Sequence, residues 1–265
     1  MLQITNIIIK PANEILNEIA HMKKIAVIPA RYASTRFPAK LMQMLGEKTI
    51  IKTTYDNTVA TGLFDYVMVV TDSEIIYNEL QNDNVIMSKR NHESGSDRIA
   101  EAIANVDCDI IINVQGDEPF VDKVILKNLL SAFDNERVHV ASVMHELFEQ
   151  ADIENPNNVK VVVNKNNDAL YFSRSVIPFI RDAGTKARYF KHIGIYGYRK
   201  EVLLSFTTWP AGELEKIEKL EQLRYLENNI SIRMVLTGHA SIGIDTPDDL
   251  ELAKQFLKQQ QNINN

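Results

Sequence analysis

A single cysteine, Cys108, occurs in the chain. No intrachain disulfide can form, and a reducing, cytoplasmic compartment is the expectation. Cys108 lies between Asp107 and Asp109 without ligand-like neighbours, so it reads as structural. Long apolar runs are missing too. None approaches the ~20 residues that cross a bilayer, and residues 1–23 lack the basic start and long apolar stretch of a signal peptide. Positive charge is not in excess: the net charge is −6, which speaks against a general nucleic-acid binder. Also absent are the glycine patterns G-x-G-x-x-G and G-x-x-x-x-G-K-[ST], which argues against a dinucleotide turn and a P-loop. What is present is 265 residues, 45% apolar and 24% charged, enough for one α/β domain with or without a subdomain.

Against this acidic background one stretch stands out, "IAVIPARYASTRFPAK" (25–40). Ile25–Ile28 reads as a fully buried strand. The loop after it carries Arg31, Arg36 and Lys40 among small and hydroxylic residues. Three cations repel one another unless something anionic sits between them. A loop at the carboxyl edge of a parallel sheet is where such folds bind ligands, and Arg forks with a Lys point charge suit a polyphosphate. Taken alone, the loop is equally well read as a solvated surface.

Apolar strands and amphipathic helices alternate through the first half. Strands are expected at 25–30, 66–71, 85–87, 109–115 and about 138–144, with helices near 49–61, 73–81, 96–103 (N-cap Ser96) and 122–133. Continuous apolar strands alternating with helices predict a Rossmann-like, mostly parallel sheet covered on both faces. Beyond residue 159 the texture changes. Two strands around an Asn-rich turn and another at 189–199 predict a smaller antiparallel excursion, spanning about 159–230. Residues 213–228 predict one helix, with Leu214, Ile217, Leu220 and Leu223 three apart and Tyr225 and Leu226 beside that stripe as a face for a partner. A strand ending at Asp245 and a helix with Thr246 as N-cap and Pro247 at N1 close the chain. Residues 1–22 read as an appendage, either a short packed helix or the product of an upstream start codon. Residues 23–258 read as one domain, and 259–265 as a frayed tail.

Two further segments carry chemistry. In "NVQGDEPF" (113–120) Gly116 permits a sharp turn, and Asp117 projects from the strand end towards the cationic loop. A carboxylate beside phosphates is how proteins hold Mg²⁺, with substrate oxygens completing the octahedron. The plainer role for Asp117 or Glu118 is to cap the helix near Asp122. In "GIDTPDDL" (243–250) Asp245 is a second carboxylate for the same ion, or a turn residue beside the Thr246 cap.

The set "IPARYASTRFPAK", "VVTD", "ESGSDR", "NVQGDEP", "ALYFSRSVIPF", "KHIGIYGYR", "IEKLEQLR" and "GIDTPDDLE" resembles the 3-deoxy-manno-octulosonate (Kdo) cytidylyltransferases, or CMP-Kdo synthetases, over about residues 24–258. The resemblance implies transfer of CMP from CTP to the anomeric hydroxyl of an eight-carbon sugar acid, with pyrophosphate released, Mg²⁺ as cofactor, lipopolysaccharide assembly as destination and a homodimer as the usual state. It implies catalytic roles for Arg36, Lys40 and Asp117, and nucleotide contacts from Ala30, Arg31, Arg36, Lys40, Ser94, Gly95 and Arg98. Asp117 and Asp245 would bind the metal. Arg174, His192, Tyr196, Glu221 and Gln222 would bind the sugar. Without the resemblance Arg174 is a candidate for a local acid, His192 for a structural histidine, and Glu221 and Gln222 for a solvated helix face. Two positions depart from the family pattern. Ala39 stands where glycine is usual, so the backbone there is less free to approach phosphate, and "ESGSDR" replaces "QSGTER". An 8-amino sugar acid or a nonulosonic acid is the alternative substrate, and a non-catalytic nucleotide-binding relative the reading from another class.

Overall fold

Strand β1 (Lys24–Ala30) buries both faces, and this explains why its sequence is apolar without alternating. Ala26, Ile28 and Ala30 join one core, while Ile25 and Val27 join a second on the opposite side. The computed structural model describes residues 22–34, 37–90, 92, 94–182, 184–238 and 243–263, with side chains to 259. Arg36, residues 1–21 of the expected appendage and the last two residues of the expected tail lie outside them.

The remaining strands are β2 (Met44–Leu45), β3 (Lys48–Thr49), β4 (Tyr66–Thr71), β5 (Val85–Met87), β6 (Ile110–Asn113), β7 (Val140–Leu147), β8 (Lys160–Val163), β9 (Ala169–Ser173), β10 (Tyr189–Arg199) and β11 (Ile232–Thr237). The main sheet runs β11-β7-β10-β6-β1-β4-β5, and β8 and β9 extend it from β10. β6, β1, β4 and β5 are parallel, as are β7 and β11. β10 is antiparallel to both of its neighbours in that order, β6 and β7. The fold is thus α/β with a mostly parallel sheet, and β8–β10 form the antiparallel excursion. Of the described helices, none is long and apolar enough to cross a membrane.

β10 does two jobs. Its second half pairs with β6 from Tyr196 to Arg199, and its first half runs past the carboxyl end of β6 to pair with β8. Between them a bulge interrupts the register with β7 from Ile193 to Tyr196. The Ser142 hydroxyl sits in this bulge, within 2.9 Å of the Ile195 carbonyl and 3.2 Å of the Ile193 carbonyl. The bulge re-aims the side chains that follow it.

Four sequence-based boundaries are corrected. Helix Gly95–Ile103 is capped by Ser94, whose hydroxyl accepts from the Asp97 N–H, and not by Ser96, which is buried. Residues 213–228 form two short helices, Glu213–Glu218 and Leu223–Glu227, separated at Lys219 with φ 54°. Residues three apart drift about 60° around a helix at each step, so the leucine stripe does not hold one face. Leu220 and Leu223 are buried, while Ile217 is 76% exposed. Tyr225 is only 2% exposed and packs inside its own chain instead of facing a partner. Residues 243–245 are not a strand, although the Thr246–Pro247 helix start is present, with Thr246 and Asp249 capping reciprocally. The last helix runs Pro247–Ile263, into the segment expected to fray.

Ala39 adopts the left-handed conformation, φ 53° and ψ 29°, directly before the short 3₁₀ turn Lys40–Met42. A Cβ is disfavoured there. Ala39→Gly is therefore expected to raise stability by about 0.5–1 kcal/mol, after the extra chain entropy of glycine is deducted. Urea unfolding of the two proteins reads this directly.

Candidate active site

The carboxyl ends of β1 and β6 lie side by side, and the loops leaving them meet residues 243–245. Gly116 lets the loop after β6 press against the sheet. A Cβ there would stand 3.2 Å from the Pro29 carbonyl and 3.3 Å from both Ile51 and Leu41. The Thr54 hydroxyl donates to the Gly116 carbonyl at 2.9 Å, and the Asn57 amide to the Pro119 carbonyl at 2.7 Å. The Ile244 N–H donates to the Asp117 carbonyl at 3.0 Å, which fastens Asp245 alongside.

Lys40 closes this arrangement. Its Nζ lies 2.5 Å from Asp117 Oδ2 and 2.9 Å from Asp245 Oδ1, so one ammonium gathers two carboxylates remote in sequence. Burial by itself lowers the Lys40 pKa, but the two aspartates outweigh it and hold the group above its ordinary value. The anion that this cation needs is thus partly internal. Asp117 and Asp245 present hard carboxylate oxygens around a positive charge, the donor type Mg²⁺ takes. Among the described residues no three His, Cys, Asp or Glu side chains cluster tightly enough to hold an ion unaided. An ion held here would need further ligands from water or a bound phosphate, so the pair of carboxylates suits a site shared with substrate. A cavity of about 570 Å³ opens beside Asp245, walled by Glu118, Lys191, His192 and Gly194.

Arg31 follows β1 at the surface, whereas Arg98 is wholly buried. Its guanidinium donates to the Ala30 carbonyl at 2.8 Å and pairs with Asp72 at the end of β4. Arg98 therefore fixes the strand end from which the cationic loop departs, and the structure does not place it at the surface beside Arg31. Ser94 and Gly95 begin the helix that carries it, and Gly95 packs over Pro29.

Four of the five expected sugar residues lie together. His192, on β10 before the bulge, packs edge-on between Phe172 and Tyr196, with ring centroids 5.1 and 5.3 Å away. The Gln222 amide donates to His192 Nδ1 at 3.4 Å, and His192 Nε2 lies 2.9 Å from the Ser142 hydroxyl. This chain assigns a neutral imidazole protonated on Nε2, and burial pushes its pKa down to about 3. Glu221 bonds to the Ser96 hydroxyl, and burial raises its pKa despite the serine contacts. Both Glu221 and Gln222 lie in the turn between the two short helices, so the break at Lys219 brings them inward. Burial also raises the pKa of Tyr196.

Arg174 is turned to a helix end. Its Nε donates to the Glu218 carbonyl at 2.9 Å and its guanidinium reaches the Pro156 and Lys219 carbonyls, so it caps the end of helix Glu213–Glu218. Sequence reading missed Ser96, Ser142 and Gln115, whose amide donates to the Gly194 carbonyl in the bulge at 3.1 Å. No spacing rule marks Ser142. Ser96 and Gln115 lie inside quoted motifs, where proximity to Ser94 and Asp117 was the available signal.

The sequence profile of the cytidylyltransferase family matches residues 25–232. The chain belongs to this family. A 3-deoxy-manno-octulosonate cytidylyltransferase of Flavobacterium johnsoniae is 57% identical over 242 residues, which cover 89% of this chain and 99% of that protein. One from Bacteroides thetaiotaomicron is 44% identical over 89% of this chain and 99% of its own length. Among solved structures, a CMP:2-keto-3-deoxy-manno-octonic acid synthetase complexed with CTP superposes with a TM-score of 0.85 at 40% identity, covering 90% of this chain and 99% of that one. Membership accounts for the site's position in the fold: residues 25–232 supply Lys40, Asp117 and the His192–Gln222 cluster, and Asp245 follows just beyond the matched span.

Proposed function

We propose that the chain transfers CMP from CTP to the anomeric hydroxyl of 3-deoxy-manno-octulosonate, with release of pyrophosphate. The observation that carries this reading is the Lys40–Asp117–Asp245 convergence at the carboxyl edge of the sheet, beside a polar cluster suited to a hydroxylated acid. The sugar hydroxyl attacks the α-phosphorus, the bond to the pyrophosphate oxygen breaks, and the hydroxyl proton leaves. Lys40, Arg31 and Arg36 neutralise the triphosphate and the charge growing on departing pyrophosphate. Asp117 and Asp245 would hold Mg²⁺, which when bound supplies a divalent charge against the phosphates. Residues 23–258 form the catalytic unit in this reading, working as a homodimer in the cytoplasm towards lipopolysaccharide.

The direct test is pyrophosphate release from CTP and Mg²⁺ with a panel of sugar acids. Turnover with Kdo above all others is expected. Preference for an 8-amino or nonulosonic acid would move the substrate but keep the chemistry, and tight CTP binding without turnover would leave only a binding protein. Lys40→Ala is expected to lower kcat/KM for CTP by roughly 10–100-fold, since it removes a charge-assisted contact at the phosphates. Wild-type kinetics in that variant would take Lys40 out of the mechanism.

A further inference from the structure

Ser142, on β7, has a single hydroxyl proton and more than one group that could take it. The Ile195 carbonyl lies 2.9 Å away, the Ile193 carbonyl 3.2 Å and His192 Nε2 2.9 Å. The residue is wholly buried, so these groups must satisfy one another. The carbonyl oxygens can only accept. If the proton went to His192 Nε2, both carbonyls would face a hydroxyl lone pair with no hydrogen between. Donation to the bulge carbonyls instead leaves the Ser142 oxygen as an acceptor, and Nε2 must then carry the imidazole proton. Nδ1 is in consequence a bare lone pair that only a donor can face. The Gln222 side chain, 3.4 Å away, therefore turns its amide nitrogen to the ring and its oxygen away from it. Packing holds the ring edge-on between Phe172 and Tyr196. The far end of this chain is open: Gln222 keeps 7% of its surface exposed, and its Oε1, which accepts from no described residue, is not an enclosed orphan. His192 itself walls the cavity beside Asp245.

We propose that Ser142 is a positioning residue for the sugar acid: it holds His192 in one tautomer, and that tautomer orients Gln222 so that its Oε1 is offered to a sugar hydroxyl. The site thereby selects a hydrogen-bond donor. A hydroxyl fits it, whereas a carboxylate or ether oxygen would meet a lone pair. The inference rests on the transfer reaction proposed above and adds a residue that acts on the sugar without touching it.

Nitrogen NMR of the imidazole reads the tautomer without turnover, and His192→Gln identifies the signals that belong to His192. The wild type and Ser142→Thr, which keeps the hydroxyl, are expected to carry the proton on Nε2, and Ser142→Ala to lose that single state. The pyrophosphate assay, with sugar acid and CTP varied separately, reads the consequence. For Ser142→Ala the expected result is a rise of about five- to tenfold in the sugar KM, the worth of one hydrogen bond, with the CTP KM within about twofold. Ser142→Thr should bring the sugar KM back to within about twofold of the wild type. A serine that merely ties down the bulge would lower the melting temperature of Ser142→Ala and leave its sugar KM unmoved, and that outcome overturns the proposal. So does a proton on Nδ1 in the wild type, whether or not Ser142→Ala folds. Absence of turnover by the wild type with any sugar acid would remove the transfer reading and the role of Ser142 with it. A normal wild type with an unaltered Ser142→Ala removes the role alone.

Discussion

Asp117→Ala is expected to lower kcat by on the order of 10³-fold, and EDTA to do the same to the unaltered protein. The magnitude is what loss of a charge-organising group at a phosphoryl centre generally costs. Asp117 is the better placed of the two carboxylates: its side chain is 28% exposed against 49% for Asp245, and its backbone carries the Ile244 contact. Asp245→Ala should therefore be the milder lesion. Asp117→Asn separates charge from shape, since the amide keeps the volume but neither neutralises Lys40 nor binds a hard cation well. Near-equal losses in the Ala and Asn variants, with unchanged far-ultraviolet circular dichroism, place the effect in the charge. Activity within tenfold of normal for both variants, or indifference to EDTA, would sink the metal assignment.

What could be read from the sequence, and what could not, divides along one physical line. The strands were legible because burial on two faces forces an uninterrupted apolar run, and β1, β4 and β6 each alternate between two cores. Asp117 was legible because a glycine before a carboxylate at a strand end has few other uses. The position of Lys40 between two aspartates was not, since its partners lie in segments that only tertiary folding brings together. The helix break at Lys219 was hidden for a similar reason. It depends on a left-handed residue and on Arg224 folding back onto Glu215 at 2.7 Å, contacts that do not register in a run of helix formers. The bonds of Arg174 to backbone carbonyls at the end of a helix were equally hidden, because Pro156 and Glu218 lie far from it in sequence. Ser94 could have been chosen over Ser96, since S-x-x-D before an apolar run is the capping pattern.

Acid should weaken the fold through His192 in a way that a substitution can reveal. The imidazole is neutral in the native state, with its pKa pushed down from 6.5 to about 3 by burial. The unfolded chain takes up a proton near the ordinary value, so it binds more protons than the folded one at any pH between the two. Stability is therefore complete above about pH 6.5 and falls as the pH drops towards 3, the reverse of a histidine that gains an anionic partner. By about pH 4.5 the loss is on the order of 2 kcal/mol, discounted because the residue keeps some solvent contact. His192→Gln removes the titrating group and leaves a side chain able to bond to Ser142, so its urea midpoint should vary less between pH 7 and pH 4.5 than that of the wild type. The same neutrality bears on catalysis, because an uncharged imidazole cannot serve as counter-ion to the sugar carboxylate. It can only donate or accept a hydrogen bond, with Ser142 and Gln222 fixing which nitrogen does which. Identical acid slopes in the two proteins, or a kcat/KM profile whose limb near pH 6.5 disappears in His192→Gln, would show that the ring titrates in the folded state after all.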